Sequence, residues 1–186
     1  MSEAAAKYKT ALDDFEAILS AVPAGAWENQ SPCSEWKSVD VVGHVIGGQH
    51  MVATLAGGGE LGGAHPTTRE LAGSDPVVGF KTARATAEAS LNAEAMAKVV
   101  NSPFGPMPLE NFLKIFVLDV VTHTWDLARA AGLPVTLNAD LVHEGFENIR
   151  PMDAGIRMPG VMGPKLEAPA GAAEQEQLMA FLGRQV

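Results

Sequence analysis

Residues 3–22 place Tyr8, Leu12, Phe15, Leu19 and Val22 at steps of three and four with charged positions between them, the period of an amphipathic helix. Pro23 and Gly25 stop it. After the turn-rich "ENQSPCSEWK", the pattern predicts a second helix over about 38–56, with Asp40 in its first turn, where negative charge suits the helix dipole. Residues 57–75 hold six glycines and a proline and read as one long loop, of a length to cross the end of a bundle. "SDP" opens a third helix, with Asp75 as N-cap and Pro76 in the first turn, expected to reach about Val100. "NSPFGPMP" is a turn or short hairpin. A fourth helix is expected over about 109–131, ended by Gly132 with Pro134 beyond. Shorter helices around 138–150 and 173–183 are separated by the Pro/Gly-rich "RMPGVMGPKLEAPAG". Four long helices, one long crossover and short C-terminal helices predict an all-α bundle, with residues 1–186 forming one domain.

The fourth helix departs from this plain scheme. Val117, Leu118, Val120, Val121 and Trp125 make it apolar on most sides, so it belongs at the centre. At about 100° per residue, Asp119, His123 and Asp126 nevertheless fall on one face with Phe112 and Phe116, within an arc of about 80°. Ionisable groups placed where a core is dry must neutralise or find partners. An Asp-x-x-x-His pair often does no more than hold its helix in register. The same spacing also aims one hard oxygen and one imidazole at a single point, as in metal sites built inside bundles. Such a site needs a third ligand from another helix. The second helix offers His44, on the face of Val41, Val45, Gly48 and Met51, with Gly43, Gly47 and Gly48 around it. Each glycine costs a helix about 1 kcal/mol relative to alanine, so three within six residues imply close packing or a ligand cavity. His50 lies on another face, His65 in the loop and His143 on a peripheral helix; these three read as solvated or structural.

Charge and composition narrow the partners. With 22 acidic against 13 basic residues, the net charge is −9, and no basic cluster compensates locally. Nucleic acid and anionic membrane surfaces are therefore excluded as expected partners. No run approaches the length of a membrane span, and charged residues break up the N-terminal stretch as a signal peptide, so a cytoplasmic protein is expected. Cys33 is the single cysteine, which fits a reducing compartment. It precedes the second helix and reads more readily as a small buried hydrophobe than as a reactive thiol at the site mouth. Trp36 and Trp125 read as packing anchors. "GGGELGG" lacks the Gly-Lys-Ser/Thr of a phosphate-binding loop.

"SPCSEWKSVDVVGHVIGG", "LDVVTHTWDLARAAG" and the tail "GPKLEAPAGAAEQEQLMAFLGR" together resemble the DinB-like superfamily. Within it, the resemblance is to the actinobacterial branch containing the metal-binding domain of mycothiol-dependent maleylpyruvate isomerase. The resemblance implies a four-helix bundle holding one divalent metal on His44, Asp119 and His123. Relatives often carry Glu or His where this chain has the shorter Asp119. The isomerase also has a second C-terminal domain that contributes to its active site, whereas only 54 residues follow Gly132 here. Maleylpyruvate isomerisation itself is thus not implied; the metal-and-thiol site is.

The expected function is a zinc- or nickel-dependent enzyme using mycothiol or a similar thiol to transfer or isomerise a small molecule. Three protein ligands leave open positions, as in catalytic rather than structural sites. Asp126 is expected to support a ligand or to orient Arg129. The partners are then a thiol or small-molecule substrate, with a homodimer compatible. A non-catalytic metal- or ligand-binding protein, a metal-dependent hydrolase, and a metal-free core in which His44, Asp119 and His123 satisfy one another stay open.

Overall fold

The computed structural model describes residues 2–62, 66–157 and 162–186. His65 lies outside them. The chain divides into two compact units, Met1–Val135 and Thr136–Val186.

The first unit is the helical bundle. Helix α1 (Glu3–Ala21) starts where the Ser2 hydroxyl accepts the Ala5 N–H, and it buries Tyr8, Leu12, Phe15 and Leu19 along one stripe. Helix α2 (Ser38–Ala56) begins where the Asp40 carboxylate accepts the Lys37 N–H. The region read as an unbroken loop contains a further helix, α3 (Thr68–Ala72). A capping box nucleates it: Thr67 accepts the Glu70 N–H, and Glu70 reaches back to the Thr67 N–H. That T-x-x-E signature was present in the chain, masked by the glycines before it.

Helix α4 (Pro76–Ser90) starts as expected, with Asp75 accepting the N–H groups of Val77 and Val78. It does not reach Val100. The chain leaves helical geometry at Leu91 and Asn92, and the Asn92 side chain caps a new short helix, α5 (Ala93–Ala97). Asparagine competes with helical hydrogen bonding and so serves better as a cap than as an interior residue. Strands β1 (Val99–Ser102) and β2 (Gly105–Pro108) then form an antiparallel hairpin, with Gly105 at φ +98° supplying the turn. Helix α6 (Leu109–Ala131) follows directly. It ends at Gly132 in the left-handed region, and the Leu133 N–H closes onto the Ala128 carbonyl.

Helices α1 and α6 pack together, α2 lies against α4 and α6, and α1 also meets α4, closing the four-helix arrangement. Among the described residues, the fold is all-α apart from one hairpin. Among the described residues, no helix is long and apolar enough to cross a membrane.

In the second unit helix α7 (Ala139–Ile149) packs against α9 (Glu174–Phe181), and the turn Arg150–Met152 leads from α7 into the short α8 (Asp153–Ile156). Phe146 meets Phe181 at a ring separation of 5.6 Å. Arg157 covers the Phe181 ring and donates to its carbonyl at 2.7 Å.

Candidate metal centre

Close approach of α2 and α6 depends on Gly48. A Cβ there would collide with the Phe116 ring, which is buried against Tyr8 and Phe112. The glycines around His44 thus serve packing: Gly43 faces the Thr68 carbonyl and Gly47 the Leu71 side chain. Gly48 meets Phe116 while His44, one turn earlier on α2, meets Asp119, one turn later on α6. The two helices therefore run antiparallel.

This contact brings together the three residues named from the sequence. Nε2 of His44 lies 3.1 Å from Oδ2 of Asp119, and Nε2 of His123 lies 3.4 Å from its Oδ1. The two imidazoles meet edge to face, with ring centres 4.6 Å apart. One nitrogen from each histidine and one Asp119 oxygen all fall within 4.8 Å of one another. Donors that share an ion at bond lengths of about 2.0–2.2 Å stand about 3–3.5 Å apart, so this spacing and donor set fit a divalent metal. The side chains of His44 and Asp119 keep 32% and 31% exposure, against 6% for His123. One side of the cluster is open while its base is sealed.

The charges are strongly coupled. Burial pushes the Asp119 carboxyl up, but the imidazoles of His44 and His123 outweigh it and hold the group well below the usual carboxylate range. Burial opposes charge on His123, yet Asp119, with help from Asp126, raises it well above an ordinary histidine.

Asp126 is fully buried and accepts from Nδ1 of His123 at 2.9 Å. An ionised carboxylate can only accept, so Nδ1 donates to Asp126, while Nε2 faces Asp119 and the open side. Arg129 does not join this arrangement. It is exposed, and its guanidinium lies over the Trp125 ring at 5.4 Å. Asp126 also accepts from Cys33, whose thiol lies 3.3 Å from Oδ2.

Cys33 and Trp36 come from the loop ahead of α2, and both do more than pack. Trp36 covers the cluster, its ring centre 4.6 Å from that of His44 and 5.5 Å from that of His123. The Gln30 amide gathers the loop by donating to the carbonyls of Cys33 at 3.0 Å and Trp36 at 2.8 Å. The Ser31 hydroxyl donates to Trp36 at 2.7 Å and accepts the Cys33 N–H. Asn29 ties the loop to the end of α6 through the Ala130 carbonyl. The motif P-C-x-x-W was visible before the helical His44, but its contacts depend on irregular backbone that periodicity does not encode. Trp125 packs on the side away from the ligand stripe, His50 is exposed, and His143 pairs with Glu174 at 2.9 Å.

Comparison with known proteins matches residues 8–128 to the family described as the mycothiol maleylpyruvate isomerase N-terminal domain. Two uncharacterized proteins of Mycobacterium tuberculosis, from strains CDC 1551 and H37Rv, are each 31% identical over 182 residues, covering 96% of this chain and of each relative. No solved structure matches. The chain belongs to the mycothiol maleylpyruvate isomerase N-terminal domain family.

Proposed function

We propose that this family member binds one divalent metal, zinc or nickel, through His44, Asp119 and His123, and uses it with a low-molecular-weight thiol of the mycothiol type to transfer or isomerise a small molecule. The observation that carries this reading is the convergence of two imidazole nitrogens and one carboxylate on a point with an open side. A bound divalent ion lowers the proton affinity of a thiol or water at its open position.

The chain's own groups have definite tasks in this reading. His44 and His123 present Nε2, and Asp119 lies between them as the anionic donor. Asp126 holds the Nδ1 proton of His123 and so fixes which nitrogen faces the site. Trp36 shields the two imidazoles and limits water on that side. The family supports the thiol, because it is that of the mycothiol maleylpyruvate isomerase N-terminal domain. Hydrolysis through an activated water and binding without turnover are the competing uses of the same open site.

Elemental analysis of protein purified without added metal tests the core of the proposal. About one zinc or nickel per chain is expected. A protein that arrives empty and takes up neither ion on addition would leave the cluster as a hydrogen-bonded core and overturn the proposal.

A further inference from the structure

We propose that Cys33 is a positioning residue for the metal ligand His123, acting through Asp126, and that losing its S–H weakens metal binding although Cys33 is not itself a ligand. The inference rests on the metal reading above.

One oxygen carries the argument. Oδ2 of Asp126 accepts both Nδ1 of His123, at 2.9 Å, and the thiol of Cys33, at 3.3 Å. Asp126 is wholly buried, so water cannot readily replace a lost donor on that oxygen. Two donors arriving from different directions fix the carboxylate plane. The carboxylate in turn fixes the rotation and tautomer of the imidazole. The thiol is 93 positions from Asp126 in sequence, so its contact joins the loop to α6. That loop holds its shape through Gln30, Ser31 and Asn29. The thiol is thus delivered by a built support.

Direct ligation by Cys33 is the rival arrangement, because its sulfur, His123 and Asp126 also form a compact donor group. There, however, the nitrogen of His123 bonded to Asp126 is Nδ1, while Nε2 faces Asp119 and His44 on the open side. The hydrogen-bond relay uses both nitrogens at once; a metal shared by the Cys33 sulfur and Nδ1 of His123 would displace the proton that the relay needs.

The test compares Cys33→Ser, which keeps a donor, with Cys33→Ala and Cys33→Val, which do not. Zinc affinity is measured by competition with a chromophoric chelator. The metal-free proteins are followed by nitrogen-15 NMR at Nδ1 of His123. Serine should hold zinc within about threefold of the parent, and the donor-free variants should bind about tenfold more weakly. Their Nδ1–H signal should exchange faster with water. Cobalt-loaded parent protein without added thiol should show no sulfur-to-cobalt charge-transfer band. Equal zinc affinity in all four proteins would overturn the inference, as would a charge-transfer band that disappears in Cys33→Ser. If the parent binds no metal at all, the functional proposal fails instead. The Nδ1–H exchange rates then decide the relay alone: unchanged rates overturn it, and faster exchange in the donor-free variants upholds the positioning.

Discussion

Nε2 of His44 and Oδ2 of Asp119, separated by 75 positions in the sequence, meet at 3.1 Å. The contact exists because α2 and α6 run antiparallel with a glycine opposite a phenylalanine one turn away. In the metal-free protein it is a hydrogen bond between imidazole and carboxylate. In the proposed holoprotein the same two atoms become neighbours around one ion.

Replacing the ligands should therefore separate metal binding from folding. His44→Ala and His123→Ala should each abolish stoichiometric metal while leaving the helical circular dichroism intact. The core of α1, α2, α4 and α6 is built from aliphatic and aromatic contacts that neither substitution removes. Full metal occupancy in the double variant would place the site elsewhere.

Acidity should act in opposite directions on the metal-free and metal-loaded forms. In the metal-free protein, Asp119 holds the His123 proton well above the ordinary histidine range despite burial. That contribution is complete below about pH 6.5 and is lost as pH rises through the higher folded value. Asp119 is held low, so its contribution is present above about pH 4 and is lost only as pH falls through its depressed value. The melting temperature of metal-free protein should thus decline on the alkaline side. Metal competes with the Nε2 proton, so affinity should rise over the same interval. Calorimetric scans with and without zinc across a pH series check both slopes. A metal increment that shrinks with rising pH would contradict the coupling.

How much of this was legible beforehand divides by the kind of signal. The bounds of α2 and α6 followed from helical periodicity and from stop signals such as Gly132, and they placed His44, Asp119 and His123 on inward faces. The break at Leu91 and Asn92 was not legible from the apolar pattern, because a single asparagine cap decides it locally. Trp36 over the imidazoles and Cys33 on Asp126 were hidden for another reason. Both depend on a loop whose shape is set by the Gln30 and Ser31 side chains, and no periodic rule describes such a loop. Arg129 shared a helix with the ligands, but its long side chain lies over Trp125 instead of turning toward Asp126.

The glycine at 48 should be irreplaceable for packing. Gly48→Ala gains about 1 kcal/mol of helix propensity, but its methyl must displace the Phe116 ring. Overpacking of this kind costs about 1–3 kcal/mol, so a net loss in urea unfolding is expected. Shrinking the ring with Phe116→Leu should reduce the penalty of the alanine, giving a positive coupling in a double-mutant cycle. Additive effects would mean that the helices do not meet at this contact.

The thiol is the part of the functional proposal most open to a direct optical test. Cobalt in place of zinc or nickel gives visible bands, and sulfur coordination adds charge transfer at higher energy. Borderline metals accept thiolate readily, and the open side next to His44 and Asp119 gives a small thiol access. The experiment belongs in Cys33→Ser protein, which removes the chain's only sulfur from cysteine and leaves any sulfur signal to the added compound. Mycothiol at millimolar concentration should then produce a charge-transfer band. The band should vanish in Cys33→Ser/His123→Ala and fade at low pH, where protons compete for both the thiol and the histidines. An unchanged spectrum, together with free exchange of a water-derived ligand, would remove the thiol and make hydrolysis or simple metal binding the better account of the open position.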